Sequence, residues 1–282
     1  MTLIDLLRAA AIIVGLLAWP VTRAAAQPRP LPIESVAVAG AGNVSLETSL
    51  DYMRNTQFTL SGLKGNLWRF GLLRLEVGLS SIADFEISGG LRDHLAITAS
   101  EPAVLSNVLR LADPTSTGAF DDLIVGTKVQ VVREQVGRIG LAVQMATRLP
   151  NAKHPSGLGQ DTTDFYSRLI IGRSTPALQL TGNIGFGILA DPLLATRHLP
   201  SLLYNASISR PVTLHASLIA AVDGRTGPEE PGLESRGIGR LGMAWRRGPT
   251  RIELDGTIGL SRRDGTVGFA VTTGFIFHAF VP

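Results

Sequence analysis

The chain contains no cysteine, which removes disulfides, thiolate metal sites and a lipoprotein anchor at one stroke; the absence suits an exported protein. Charged residues make up 17% of it and aromatic residues 6%, where about a quarter of a soluble domain is charged. The net charge is only +3. No run of Lys and Arg with interleaved aromatics is present, so no nucleic-acid footprint is expected. Long hydrophobic runs are also missing: none approaches the ~20 residues of a membrane helix. Yet 45% of the residues are hydrophobic and 31 are glycine, too apolar for a disordered chain. An apolar chain without a spanning helix leaves either a β-protein with alternating apolar residues or a very apolar soluble domain.

The first residues have an order of their own. Arg8 precedes an apolar run from Ala9 to Trp19, and Ala24-Ala25-Ala26 follows. Basic, apolar, small is the order of a secretory signal peptide. A buried N-terminal helix is the alternative, since eleven apolar residues are too few to span a bilayer. The expectation is a signal peptide over 1–26, cleaved after Ala26. An irregular periplasmic leader is expected over 27–43, where Pro28, Pro30 and Pro32 fall.

Beyond residue 43 the pattern has period two. Leu123, Val125, Val129 and Val131 alternate with Gly126, Lys128 and Gln130; Ile252, Leu254, Ile258 and Leu260 alternate with Arg251, Glu253, Asp255 and Thr257. No helical period fits these windows. The pattern predicts about twelve strands, at 44–53, 67–79, 83–90, 122–133, 138–148, 164–173, 177–188, 202–210, 212–222, 237–246, 251–261 and 267–277. Thirteen or fourteen strands are also compatible, through 35–43 or 91–99. Gaps alternate: 54–66, 91–121, 149–163, 189–201 and 223–236 are long, and the intervening ones are short. The exception is 262–266, a short gap on the long side. Short turns at one end and long loops at the other mark an outer-membrane barrel. The expected fold is therefore all-β, an antiparallel up-and-down transmembrane barrel over 44–277 in the bacterial outer membrane, with a short tail at 278–282. Segment 100–111 reads equally as a helical insertion with Val104, Leu105, Val108 and Leu109 on one face, or as a plain loop.

Certain stretches also carry a likeness. Asp121-Asp122-Leu-Ile-Val-Gly-Thr-Lys128, Arg148-Leu-Pro-Asn, Gly157-Leu-Gly-Gln-Asp161 and Leu180-Thr-Gly-Asn183-Ile-Gly-Phe-Gly187 resemble the bacterial outer-membrane β-barrel family described under the meta-pathway of phenol degradation. The closing hairpins, Gly239 to Arg246 and Ile252 to Gly274, resemble that family's end. The resemblance implies a transporter-like barrel with no catalytic residues to carry across. One departure is the end of the chain, which runs past Phe277 to Pro282 where such barrels often stop on an aromatic residue.

Little chemistry is legible. Gly40-Ala41-Gly42 half-matches a dinucleotide loop but lacks the third glycine and a following helix. No G-x-S-x-G occurs, and no His pair has metal spacing. Lipid hydrolysis by a barrel with His and Ser on its lipid face is disfavoured, because His215 shares its parity with Thr213 and Ser217. Asp223, Glu229, Glu230 and Glu234 could hold a divalent cation, but a solvated loop explains them better, as it does the acidic residues of 113–122. No enzyme activity, metal or cofactor is expected.

The polar residues in phase with one another are the informative set. Parity places Arg74, Glu76, Lys128, Gln130, Gln144, Arg168, Asn183, His215, Arg240, Glu253 and Asp255 inside, together with Glu47, Asp51, Asp84 and Glu86. On the lipid face each charge would cost ~2–4 kcal/mol near the midplane. Both signs occur, so no strong ion selectivity is implied, and ion pairs could equally fill and plug the lumen. Two functions follow. One is a monomeric channel or transporter that passes small solutes, hydrophobic or aromatic ones included, through a polar lumen. The other is a structural or adhesive barrel with a plugged lumen, whose long extracellular loops bind a partner. Membrane lipid and a small solute are the expected partners.

Overall fold

A computed structural model describes residues 34–151, 154–194, 196–261 and 263–279; the expected signal peptide lies outside them, as do the last residues of the expected tail. Alternating residues build thirteen strands. They are β1 (Asn43–Phe58), β2 (Leu63–Gly78), β3 (Ala83–Ser100), β4 (Ser116–Ala119), β5 (Leu123–Val132), β6 (Ile139–Leu149), β7 (Asp164–Ser174), β8 (Gln179–Ala190), β9 (His198–Pro211), β10 (Ala216–Arg225), β11 (Arg236–Arg247), β12 (Thr250–Gly259) and β13 (Val267–His278). Every neighbouring pair is antiparallel, and β1 pairs with both β2 and β13, so the sheet closes on itself. The short β4 is no separate stave. It continues β5 against β3 in an unbroken register, Asp93 facing Ala119 and Ser88 facing Ile124. The ring is a closed barrel of twelve staves, and closure leaves no backbone edge to satisfy in lipid.

Its outer face is apolar along the strands. Leu241, Leu254 and Ile184 are more than half exposed, which in water would be a liability and in lipid is the stabilising surface. Tyr52, Trp68, Phe70 and Phe269 cluster across β2, β1 and β13, with ring centroids 4.6–5.9 Å apart. Aromatic rings on the outer face are a feature of such barrels. With an apolar face outside and polar residues within, the fold is that of a bacterial outer-membrane barrel. No helix among the described residues is long and apolar enough to cross a membrane.

Several expectations need correction. The gap expected at 54–66 shrinks to 59–62, because β1 and β2 each run 16 residues. Bulges at Asn55 (φ 57°) and Gly71 (φ 60°) shift the phase of alternation without ending either strand, and the period-two reading stopped where the phase broke. Likewise β3 continues through 91–99 to Ser100 rather than yielding to a loop or forming an extra strand. Of the two readings left open for segment 100–111, the loop is the one found; its chain folds back so that Glu101 and Leu105 donate to the carbonyls of Gly62 and Leu60. The strand expected at 212–222 starts at Ala216 after a turn over 212–215. His278, expected in the tail, is the last residue of β13 and faces Asn43. The largest correction concerns the leader. Residues 34–42 are irregular as expected, but the first of them lie inside the barrel, not free in the periplasm: Glu34, Ser35 and Val36 are buried.

Candidate functional site in the barrel lumen

The leader enters at the end with the short turns. Gly40 and Gly42 adopt positive φ (82° and 77°), a conformation that glycine takes without steric cost, and they turn the chain inward just before β1. The Ala39 N–H donates to both carboxylate oxygens of Asp84 on β3, at 3.0 and 2.9 Å. The Val36 carbonyl accepts from Gln130 on β5 at 3.0 Å. The Val36 side chain, fully buried, packs with Ala142 on β6 and Ile170 on β7. In the orientation that satisfies its amide, Asn183 on β8 donates to the Glu34 carbonyl and accepts from the Glu34 N–H. The segment thus lies across the lower lumen, from the β1–β2 wall to β8.

Its end is pinned by charge. The Glu34 carboxylate pairs with Arg74, lies 3.6 Å from Lys128 and reaches Arg168 at 4.0 Å. Lys128 is completely buried, with Glu86 at 3.0 Å and Glu76 and Asp84 at 3.8 Å. A buried ammonium survives only where carboxylates surround it. Gln144 donates to Glu86 and accepts from Arg168. Carboxylate oxygens of Glu34, Glu76 and Glu86 lie within 4.8 Å of one another, close enough to hold a metal ion, but Arg74 and Lys128 already supply the positive charge there. On the opposite wall Arg251 pairs with Glu253, and Asp255 is buried beside them.

Above this layer the lumen widens. A cavity of about 530 Å³ is lined by polar residues of nearly every stave, and an adjoining space of about 350 Å³ shares Asp51, Asp121, Asp122, Arg168 and Arg240 with it. In this outer chamber Arg69 lies 3.6 Å from Asp93, Arg236 lies 3.8 Å from Asp264 and Arg240 lies 3.5 Å from Asp223. Arg148 bridges Asp122 at 3.2 Å and Asp164 at 2.5 Å, and the Tyr166 hydroxyl donates to Asp164 at 3.0 Å.

The loops fold over the mouth. Leu63, Leu67 and Leu95 point inward from the tall ends of β2 and β3, and Leu109, Leu111 and Leu158 from two loops cover them. Gly157 (φ 76°) leaves room for Leu63 and Leu109, and its carbonyl accepts from Ser61 at 2.7 Å. Gln160 donates to the Gly232 carbonyl, and the Gly232 N–H donates to Thr59 at 3.1 Å. Farther round, Asp191 receives the N–H groups of Leu193 and Leu194 and the Arg197 guanidinium. Desolvation works against its charge, but these donors hold its pKa below the usual aspartate value.

Ten of the eleven residues singled out by phase face the interior: Arg74, Glu76, Lys128, Gln130, Gln144, Arg168, Asn183, Arg240, Glu253 and Asp255. His215 does not. It is exposed in the turn at 212–215, where the chain reverses and strand parity has no meaning. Asp223, Glu229, Glu230 and Glu234 do not form a cation site: Asp223 pairs with Arg240, Glu230 with Arg197 and Glu234 with Arg263. Asp122, read as solvated, is buried on Arg148. Glu34 escaped the sequence reading because nothing in an irregular leader shows where it docks. Arg69 escaped it because the Gly71 bulge reverses its parity, and Arg225 and Arg236 because they stand at strand ends next to a loop.

No known protein family and no curated protein matches the chain by sequence, so the likeness to the phenol-pathway barrels has no family match behind it. Solved structures do match. The NanC porin is 8% identical with a TM-score of 0.50, covering 83% of this chain and 100% of that one. The translocator domain of the autotransporter NalP from Neisseria meningitidis is 13% identical with a TM-score of 0.45, covering 97% and 95%. The toluene transporter TodX of Pseudomonas putida is 9% identical with a TM-score of 0.39, covering 84% and 89%. At such identities the likeness is one of fold, the outer-membrane β-barrel.

Proposed function

We propose that the chain is a monomeric outer-membrane channel for small solutes, gated from within by its own N-terminal segment. The observation that carries this reading is the burial of Glu34 among Arg74, Lys128 and Arg168. Solutes enter the outer chamber from the loop side, and the segment obstructs the lower lumen until it is displaced. The wall around it supports displacement: Glu76, Asp84 and Glu86 balance Arg74, Lys128 and Arg168 without Glu34, so withdrawal leaves no net charge behind. The solutes include hydrophobic and aromatic molecules, as the likeness to the phenol-pathway barrels implies, and no covalent chemistry is involved. The adhesive reading is weaker, because the mouth loops turn inward onto Leu63 and Leu67 and do not extend outward to meet a partner.

The absence of native cysteine allows a direct test. A Val36→Cys, Ala142→Cys double variant places two thiols where these side chains now pack together. In planar bilayers the oxidised form should conduct rarely, and reduction should raise the open fraction. A folded double variant whose cross-link forms, yet whose currents are the same oxidised and reduced, would rule out the gate. A wild-type barrel that is folded and passes neither ions nor solutes would remove the channel reading altogether.

A further inference from the structure

We infer that the outer chamber contains a binding site for a small organic anion, a carboxylate on an apolar or aromatic body, centred on Arg225. The inference rests on the channel reading above and names its substrate class. Six arginines line the 530 Å³ chamber. Five of them have a carboxylate within 4.0 Å: Arg69, Arg148, Arg168, Arg236 and Arg240. Among the described residues Arg225 has none. Its one hydrogen bond to them runs from Nη2 to the Gly232 carbonyl at 3.0 Å, and its Nε is buried with no partner among them.

The groups that bear on Arg225 are Tyr166, Arg148, Asp164 and Glu234, and both carboxylates are already engaged. Asp164 holds Arg148 at 2.5 Å, the Tyr166 hydroxyl and the Ala190 N–H. Glu234 faces Arg263 at 3.8 Å. A guanidinium cannot relieve its isolation by losing its proton, and an anion answers it more strongly than lumen water does. Its planar fork of donors matches a carboxylate in shape. Tyr166, Leu203 and Leu158 also line the chamber and offer apolar contact to the body of such a molecule. The volume falls in the range of roughly 300–1,000 Å³ typical of small-molecule sites.

Benzoate, benzylamine and benzyl alcohol share one body and differ in charge. Titrated calorimetrically into the purified full chain at low ionic strength, benzoate should bind saturably and at least roughly tenfold more tightly than the other two, a difference of about 1.4 kcal/mol. Raising the salt should weaken benzoate alone. Arg225→Gln should lose at least about tenfold in benzoate affinity, and Arg225→Lys should retain part of it. Equal binding of benzyl alcohol, undiminished benzoate binding to a folded Arg225→Gln protein, or no saturable benzoate binding would each overturn the inference. If Arg225→Gln fails to fold, the three-ligand comparison on the wild type decides alone. A barrel that binds benzoate but never conducts refutes the gate and spares this site; one that conducts without Arg225-dependent binding does the reverse.

Discussion

Replacing Glu34 by Gln keeps the size of the side chain and removes its charge, so it separates electrostatic pinning from packing. In the wild type this carboxylate accepts from Arg74 and has Lys128 at 3.6 Å and Arg168 at 4.0 Å. Breaking a buried ion pair costs ~3–5 kcal/mol when a lone charge is left behind. Here the wall charges balance once Glu34 is neutral, so no lone charge is left and the loss is that of a charged hydrogen bond, roughly 1.5 kcal/mol. That is a shift of about tenfold in the ratio of plugged to open barrel. Single-channel recording should show the Glu34→Gln open fraction rising by about that factor until it saturates, with unit conductance unchanged because the wall is unchanged. A folded Glu34→Gln barrel with the wild-type open fraction would show that charge does not hold the segment, whatever Val36 contributes.

The remaining predictions test the framework around the gate. Lys128→Met removes the ammonium that Glu76, Asp84 and Glu86 surround; the barrel should lose about 3–5 kcal/mol, read from denaturant unfolding, and a loss under ~1 kcal/mol would mean the carboxylates are not charged as assigned. Leu254→Arg puts a charge on the lipid face and should impair assembly by ~2–4 kcal/mol, whereas Asn205→Lys, inside the chamber opposite Asp223, should assemble normally in a gel-shift folding assay. The sign for Asp191 follows from its lowered pKa: its tie to the loop is fully present above the unfolded value of about 3.8 and is lost as pH falls through the lower folded value. Pepsin should therefore cut near Leu193 at the bottom of its pH range and spare the loop at pH ~4. Sequencing the mature N-terminus should find Gln27; recovery of the intact chain from the cytoplasm would contradict export.

Alternation in the sequence was enough for the ring of staves, because each strand from β5 to β13 keeps a single phase, apart from a bulge at Val131 near the end of β5. Lys128, Gln144 and Arg168 could be placed inside on that basis alone. What alternation could not carry was any change of phase. One left-handed residue at Asn55 and another at Gly71 hid the upper half of the β1–β2 hairpin, and with it Arg69. Parity also says which face a residue takes but not at what height, so it could not tell that Lys128 stands in a cage while Arg148 opens onto a chamber. The docking of Glu34 depends on partners from β2, β5, β7 and β8 at once, a convergence that no local pattern records.

The position of the inward turn constrains how the molecule is put together. Gly40–Gly42 lead directly into β1, and β1 is zipped to β13, the last strand made, by pairs running from Asn43 to Met53. That seam cannot form until the whole chain is available, and such distant pairing is the slow step of a topology like this one. The groups that receive Glu34 are on β2, β5, β7 and β8, all synthesised well before β13. The cradle can therefore be filled while the sheet is still an open ribbon, and sealing the seam then traps the segment indoors. Once sealed, the segment can leave only lengthwise, sliding back past Asp84 toward the side from which it came. A chain whose cradle is damaged should thus betray itself first as slow closure, before any change in the finished barrel.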